Sequence, residues 1–196
     1  MSTYVIATNN GHKLSEIRAI LENDSRRFLS MAEAGIHTDP EETGSTFEEN
    51  ALIKARAACA ASGLPALADD SGLCVRALDD APGIHSARYC AGSDSDRVRF
   101  LLEKLDKVPE ARREAYFVSV IACVCPDGTA FTVRGECPGR ILRETRGQGG
   151  FGYDPVFYVP EEGCTFAEMP QQRKNAISHR ARSLAAMKAA LEARGL

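Results

Sequence analysis

Two pairs of adjacent carboxylates, Glu41-Glu42 and Asp69-Asp70, are the residues of this 196-residue chain with the clearest chemical potential. Neighbouring carboxylates repel, and they cost stability unless water or a cation neutralises them. Asp69-Asp70 follow the apolar run Ala66-Leu67-Ala68 and lead into Ser71-Gly72, so a turn is expected at the end of a short strand. Hard oxygen ligands on loops suit Mg²⁺, which keeps several waters and shares its shell with substrate phosphates. A carboxylate beside a metal-bound water also serves as a general base. The plain alternative is a turn that uses Asp for its side-chain hydrogen bonds.

Three further groupings carry complementary chemistry. Thr8-x-Asn10-x-x-Lys13, with Gly11 in the turn, places free backbone N–H groups and a lysine at a helix start, as an anion requires. It is not a Walker A loop, because Gly-Lys-Ser/Thr is absent. In Gly147-Gln148-Gly149-Gly150-Phe151-Gly152-Tyr153-Asp154-Pro155 the glycines let backbone approach a ligand, Phe151 offers a ring face to a base and Asp154 an acceptor to its edge. Arg173-Lys174-Asn175-Ala176-Ile177-Ser178-His179-Arg180 gathers cations where a closing helix begins, next to the helix's positive end, and an anion would give them a reason to be there. Each has an ordinary reading as a solvated turn, a surface loop or an exposed charge run. Together they supply cations for phosphates, carboxylates for Mg²⁺ and a ring for a planar base.

The elements that must hold these groups follow from periodicity. Tyr4 to Ala7 reads as a buried strand, and Leu14, Ile17 and Leu21 make one stripe of a helix over 12–22. Ser45 with Glu48 and Thr46 with Glu49 both fit a capping box, so a helix starts there in one of two registers and runs to Ser62, where Gly63-Leu64-Pro65 stops it. Ala66 to Ala68 is a strand that Leu73 to Val75 resumes, and 79–93 is irregular. Val98, Leu101, Leu102 and Leu105 mark a helix over 94–105. Residues 116–125 and 129–134 form a hairpin around Pro126-Asp127-Gly128, and Ile177, Leu184, Met187 and Leu191 mark a closing helix over 176–194. The alternation predicts an α/β fold with a mixed sheet, as a single domain over 1–196, with any break between lobes near 80–110.

Composition narrows the partners. With 24 Lys+Arg against 27 Asp+Glu the net charge is -3, which disfavours a nucleic-acid coat or a polybasic membrane binder but not an anionic small molecule. The seven cysteines are scattered and odd in number, fitting buried thiols in a reducing compartment. The N-terminal residues lack the pattern of a signal peptide and no run approaches a membrane span, so the cytoplasm is expected.

The chain resembles the inosine triphosphate pyrophosphatase family. The resemblance is carried by Ala7-Thr8-Asn9-Asn10-Gly11-His12-Lys13, Glu41 to Ala51, Ala68-Asp69-Asp70-Ser71-Gly72-Leu73, Ala81 to Tyr89, Gly149 to Pro155 and Ser178-His179-Arg180, in this order. It implies Mg²⁺-dependent hydrolysis of inosine, deoxyinosine and xanthosine triphosphates between the α- and β-phosphates, giving a monophosphate and pyrophosphate. It also implies an elongated sheet flanked by helices, two lobes with the active cleft between them, and a homodimer. Carried onto this sequence, Thr8, Asn9, Asn10, Gly11, His12 and Lys13 hold phosphate, with Lys54 and Lys174 adding charge. Glu41 or Glu42, with Asp70, binds Mg²⁺. Asp70 is also the base for the attacking water, Asp69 supports it and Ser71 touches substrate. Phe151 stacks on the purine, with Gly152 and Tyr153 beside it, while Asp154, His179 and Arg180 line its edge. A donor such as Arg180 on the 6-oxo group would select against adenine. A nucleotide-binding regulator without hydrolysis is the alternative, and retention of both acidic pairs argues against it.

Overall fold

The computed structural model describes the backbone of all 196 residues and every side chain except that of His12. Seven strands, β1 (Ser2–Ile6), β2 (Arg26–Ser30), β3 (Ala66–Val75), β4 (Glu114–Val124), β5 (Ala130–Ile141), β6 (Phe157–Val159) and β7 (Cys164–Thr165), form one sheet in the order β2-β1-β3-β4-β5-β6-β7. β1 pairs in parallel with β2 and β3, whereas β6 pairs antiparallel with β5 and β7, so the sheet is mixed. Five α-helices flank it: α1 (Gly11–Leu21), α2 (Phe47–Ser62), α3 (Asp94–Lys104), α4 (Gln171–Ile177) and α5 (His179–Ala193).

The chain divides into two compact units, one of residues 1–70, 119–135 and 180–196, the other of 71–118 and 136–179. Each has its own core. Tyr4, Ile6, Ile17, Phe28, Leu67, Ile121 and Leu184 anchor the first, and Leu73, Val75, Leu101, Phe117, Phe157 and Phe166 the second. The expected single break near 80–110 is therefore corrected. The divisions fall inside β3, β4 and β5 and at the α4–α5 junction, because strands of 10, 11 and 12 residues are long enough to feed two cores, as Leu67 and Leu73 of β3 do.

Local chemistry accounts for the helix ends near the site. Of the two registers at the start of α2, Thr46 takes the N-cap and accepts from the Glu49 N–H, while the Glu49 carboxylate turns back to the N–H and hydroxyl of Ser45. Gly63 closes α2 at φ 68°, a left-handed conformation that favours glycine. Ser93 and Asp96 form a reciprocal capping box on α3. The closing helix expected over 176–194 is α5, starting at His179, and a separate short helix, α4, precedes it. Ser178 adopts an extended ψ of 161° between them, which sets Lys174 in the last turn of α4 and His179-Arg180 at the start of α5.

Most consequential is β3. The turn expected at Asp69-Asp70-Ser71-Gly72 is absent, and the strand runs unbroken through both carboxylates, with Asp69 and Asp70 buried.

Candidate active site

An uninterrupted strand of this kind is stable only if its carboxylates are neutralised where they lie. In the first unit each acid has its own cation. Lys13 Nζ lies 2.5 Å from Asp69 Oδ2, and Lys54 Nζ lies 2.7 Å from Asp70 Oδ1. Asp69 is also 3.6 Å from Arg180 Nη2 and accepts a 2.6 Å hydrogen bond from the Ser119 hydroxyl. Ser119 in turn meets the Ser183 hydroxyl at 2.8 Å, and Ser183 donates to the Arg180 carbonyl. Arg180 closes the group through a 2.7 Å pair with Glu16 of α1.

The two adjacent acids are driven in opposite directions. Burial works to raise the Asp69 carboxyl, but Lys13 and Arg180, helped by Ser119, outweigh it and hold the group well below the usual carboxylate range. Burial also raises Asp70, and there Lys54 offsets it only in part, so this carboxyl sits above its ordinary value. Lys13 is lowered, burial outweighing Asp69, with Arg180 and Lys54 adding repulsion. Lys54 is raised: burial opposes its charge, and Asp70 with Glu42 overcome it.

The turn before α1 is organised by Asn10. Its backbone N–H donates to Thr8 Oγ1 at 3.1 Å, and its side-chain oxygen accepts from the Lys13 N–H at 3.2 Å, the contact of an N-cap. Asn9 and Gly11 are exposed, and no atom approaches the place of a Cβ on Gly11. The expected role of the His12 side chain lies outside the described residues.

Glu42 and Glu41, equivalent in the sequence, separate here. Glu42 Oε1 lies 2.8 Å from Lys54 Nζ, whereas Glu41 is exposed. The loop that carries them is pinned by Asn50 of α2, fully buried, whose side-chain oxygen accepts from the Gly44 N–H at 2.9 Å. Gly44 has no room for a side chain, since a Cβ there would stand 2.6 Å from that oxygen.

In the second unit the glycine-rich loop is wound around Asp154. Its Oδ2 accepts from the Phe151 N–H at 2.8 Å and pairs with buried Lys174 at 2.5 Å. Lys174 Nζ stands 4.8 Å from the centre of the Phe151 ring and 5.3 Å from that of Phe166. A Cβ on Gly150 would lie 2.0 Å from Asp154 Oδ2, so the loop cannot wind this way with another residue. Gly152 donates its N–H to Asp94 of α3 at 2.7 Å, and buried Tyr153 donates its hydroxyl to the Ser86 carbonyl. His179 stacks on Phe117 at 4.7 Å and 14°. Ser71, the first residue of this unit, is half-buried on β3.

Thr8, Asn10, Lys13, Glu42, Lys54, Asp69, Asp70 and Arg180 thus belong to the first unit, and Ser71, Phe151, Gly152, Tyr153, Asp154, Lys174 and His179 to the second. Two of the cations expected to face substrate pair with groups of the protein here. Lys174, expected to add charge at phosphate, is committed to Asp154 and the Phe151 ring. Arg180, expected to line the purine's edge, directs its guanidinium to Asp69 and Glu16. Glu16, Asn50, Ser119 and Ser183 were not foreseen. Ser119 lies within β4 and Ser183 within α5, both fully buried, and each is followed by an apolar residue, so no motif marks either hydroxyl in the sequence.

Among the described residues no three His, Cys, Asp or Glu side chains gather as a metal cluster. A divalent ion that keeps most of its waters needs fewer. Glu42 and Asp70 share one ammonium, and Asp70 Oδ2 is buried with no hydrogen-bond partner among the described residues. That orphaned oxygen and the all-oxygen donor set fit Mg²⁺.

The sequence model of the Ham1 family matches residues 4–190. The chain is 53% identical over 186 residues to a dITP/XTP pyrophosphatase of Symbiobacterium thermophilum, covering 92% of this chain and 90% of the relative. It is 50% identical over 190 residues to one of Geobacter sulfurreducens, covering 96% of each. A Ham1 protein structure from Coxiella burnetii superposes with a TM-score of 0.91 at 44% identity over 98% of this chain and 99% of that one. A nucleoside-triphosphatase, dITP/XTP pyrophosphatase, from Mycobacterium abscessus does so at 0.79 and 42% identity, over 94% and 98%.

Proposed function

Because the chain belongs to the Ham1 family, we propose that it is a pyrophosphatase that removes non-canonical purine nucleoside triphosphates, the inosine, deoxyinosine and xanthosine forms, by hydrolysis to the monophosphate and pyrophosphate. The observation that carries the reading is the separate pairing of Asp69 and Asp70: Lys13, Arg180 and Ser119 enclose the first as an electrostatic anchor, whereas the second pairs with Lys54, keeps a buried oxygen with no hydrogen-bond partner among the described residues, and is raised above its ordinary value by burial.

Asp70 takes the proton from the attacking water, and its buried oxygen keeps that proton's destination out of bulk solvent. Lys13 and Lys54 stabilise charge that grows on the departing pyrophosphate, where phosphoryl chemistry gains most from fixed cations. Asp69 and Ser119 hold Lys13 in place at the start of α1. When bound, Mg²⁺ at Glu42 and Asp70 supplies Lewis acidity and offsets triphosphate charge. On the base side, Lys174 lies against one face of Phe151 and the purine stacks on the other. A cationic donor facing a 6-oxo group is satisfied, whereas the 6-amino group of adenine leaves two donors opposed, a cost of about 1–3 kcal/mol.

One pyrophosphatase domain spans 1–196. No helix among the described residues is long and apolar enough to cross a membrane, and all seven cysteines are thiols, which supports a reducing, cytoplasmic setting. The resemblance in sequence supports a homodimer. The test is pyrophosphate release from a panel of nucleoside triphosphates with Mg²⁺. Turnover of the inosine and xanthosine forms with adenosine triphosphate spared is expected; no release from inosine triphosphate, or equal work on adenosine triphosphate, rejects the proposal.

A further inference from the structure

Lys54 occupies an unusual position for a residue meant to greet a phosphate. Its ammonium is 2.8 Å from Glu42 Oε1, 2.7 Å from Asp70 Oδ1 and 3.0 Å from the Asp69 carbonyl, so three oxygens enclose it. Two of them belong to the carboxylates that fit a divalent cation. Both anchors are fixed: Asp70 lies within β3, and the Glu42 loop is tied to buried Asn50 through Gly44. The surrounding charge is uneven, with Glu16, Glu42, Asp69 and Asp70 set against Lys13, Lys54 and Arg180. Without Lys54 the group would hold two more negative charges than positive ones. With Lys54 in place these groups sum to one negative charge, and a divalent ion on Glu42 and Asp70 would turn that into one positive charge and repel the ammonium.

We infer that Lys54 is a placeholder for the divalent cation: it bridges Glu42 and Asp70 in the nucleotide-free protein and is released toward the triphosphate as the cation enters. Cation entry and delivery of a positive charge to substrate are then one event. The arrangement keeps the carboxylates neutralised when no nucleotide is present and weakens binding of the bare metal. The inference rests on Glu42 and Asp70 being the cation's ligands, and its test separates the two ideas.

Binding of Mn²⁺ to the full chain without nucleotide is measured at pH 8 by the paramagnetic resonance of the free ion, for wild type, Lys54→Met and Asp70→Asn. Lys54→Met is expected to bind about tenfold more tightly or better, since one unit charge within a few ångströms is removed. Asp70→Asn is expected to lose binding. Equal or weaker binding by Lys54→Met, including none in either protein, overturns the placeholder. Wild-type binding by Asp70→Asn overturns instead the ligand reading beneath it. A second readout needs no variant: reductive methylation of wild type, scored by peptide mass spectrometry. Mg²⁺ is expected to raise labelling of Lys54 severalfold while exposed Lys107 stays constant. Labelling of Lys54 indifferent to Mg²⁺ overturns the inference even if Lys54→Met does not fold.

Discussion

Asp69 and Asp70 are consecutive residues of one strand, yet they answer to different cations, Lys13 with Arg180 for the first and Lys54 for the second. Alternation along β3 sends their side chains to opposite faces, so two carboxyls one residue apart acquire separate environments and separate tasks.

The two acids should therefore fail differently. Asp70→Asn is expected to lower turnover by about 10²- to 10⁴-fold while nucleotide binding survives. Its folded carboxyl is raised, so the charged form is less comfortable in the fold than in the unfolded chain, and neutralising it should leave the urea midpoint unchanged or higher. Near-normal turnover would remove Asp70 as the base.

Asp69→Asn removes the buried anion that Lys13 shares with Arg180, which still has Glu16, and a loss of about 3–5 kcal/mol is expected from urea unfolding. A loss under 1 kcal/mol, with the coupling to Ser119 intact, would show that Asp69 is not the hub of the group.

Acid should expose the same asymmetry. The Asp69 carboxyl is held below its unfolded value of 3.8, so between those two values only the unfolded chain carries the proton and stability rises with pH. This contribution is complete above the unfolded value and is lost as pH falls through the folded one. Stability of wild type measured from pH 5 downward should fall more steeply than that of Asp69→Asn; parallel curves would contradict the depressed carboxyl.

Two glycines of the base loop offer an internal control. Gly150 and Gly152 both have positive φ, at 74° and 61°, but only Gly150 faces Asp154 at 2.0 Å, while no atom lies within 4 Å of the Cβ place on Gly152. Gly152→Ala should cost only the left-handed strain of about 1–2 kcal/mol. Gly150→Ala should in addition break the Phe151–Asp154–Lys174 contacts and raise KM for inosine triphosphate well beyond the effect of Gly152→Ala. Equal effects in thermal unfolding and kinetics would discount the contact.

Replacing Asn50 by Ala releases Gly44 and with it the Glu42 loop. A rise in the Mg²⁺ concentration needed for half-maximal turnover is expected, at a stability cost of about 1–3 kcal/mol for the lost buried bond. An unchanged Mg²⁺ requirement would detach Asn50 from the site.

Much of this was legible beforehand, and the exceptions share causes. The helices α1 and α3 announce themselves because apolar residues recur at helical spacing, and α2 because Thr46 and Gly63 cap it by local chemistry. β2 stayed hidden, since Arg26-Arg27-Phe28-Leu29-Ser30 is an edge strand whose charges look like loop. At Asp69-Asp70 the sequence suggests a turn because a turn needs only its own residues, whereas a strand through two acids needs Lys13, Lys54, Ser119 and Arg180 from distant sequence. The residues of the phosphate turn and the base loop could be named, but the assignment of Lys174 to Asp154, the choice of Glu42 over Glu41 and the involvement of Glu16 are facts of tertiary packing.

The buried thiols give the molecule a pair of built-in clocks. Cys59, Cys123 and Cys125 lie in the first unit and Cys74 and Cys137 in the second, all with little solvent access, and burial pushes the Cys123 thiol far up. Alkylation at each must wait for its own unit to open. A pulse of reagent followed by peptide mapping would time the opening of the two units separately, and would tell which of them a nucleotide quiets first.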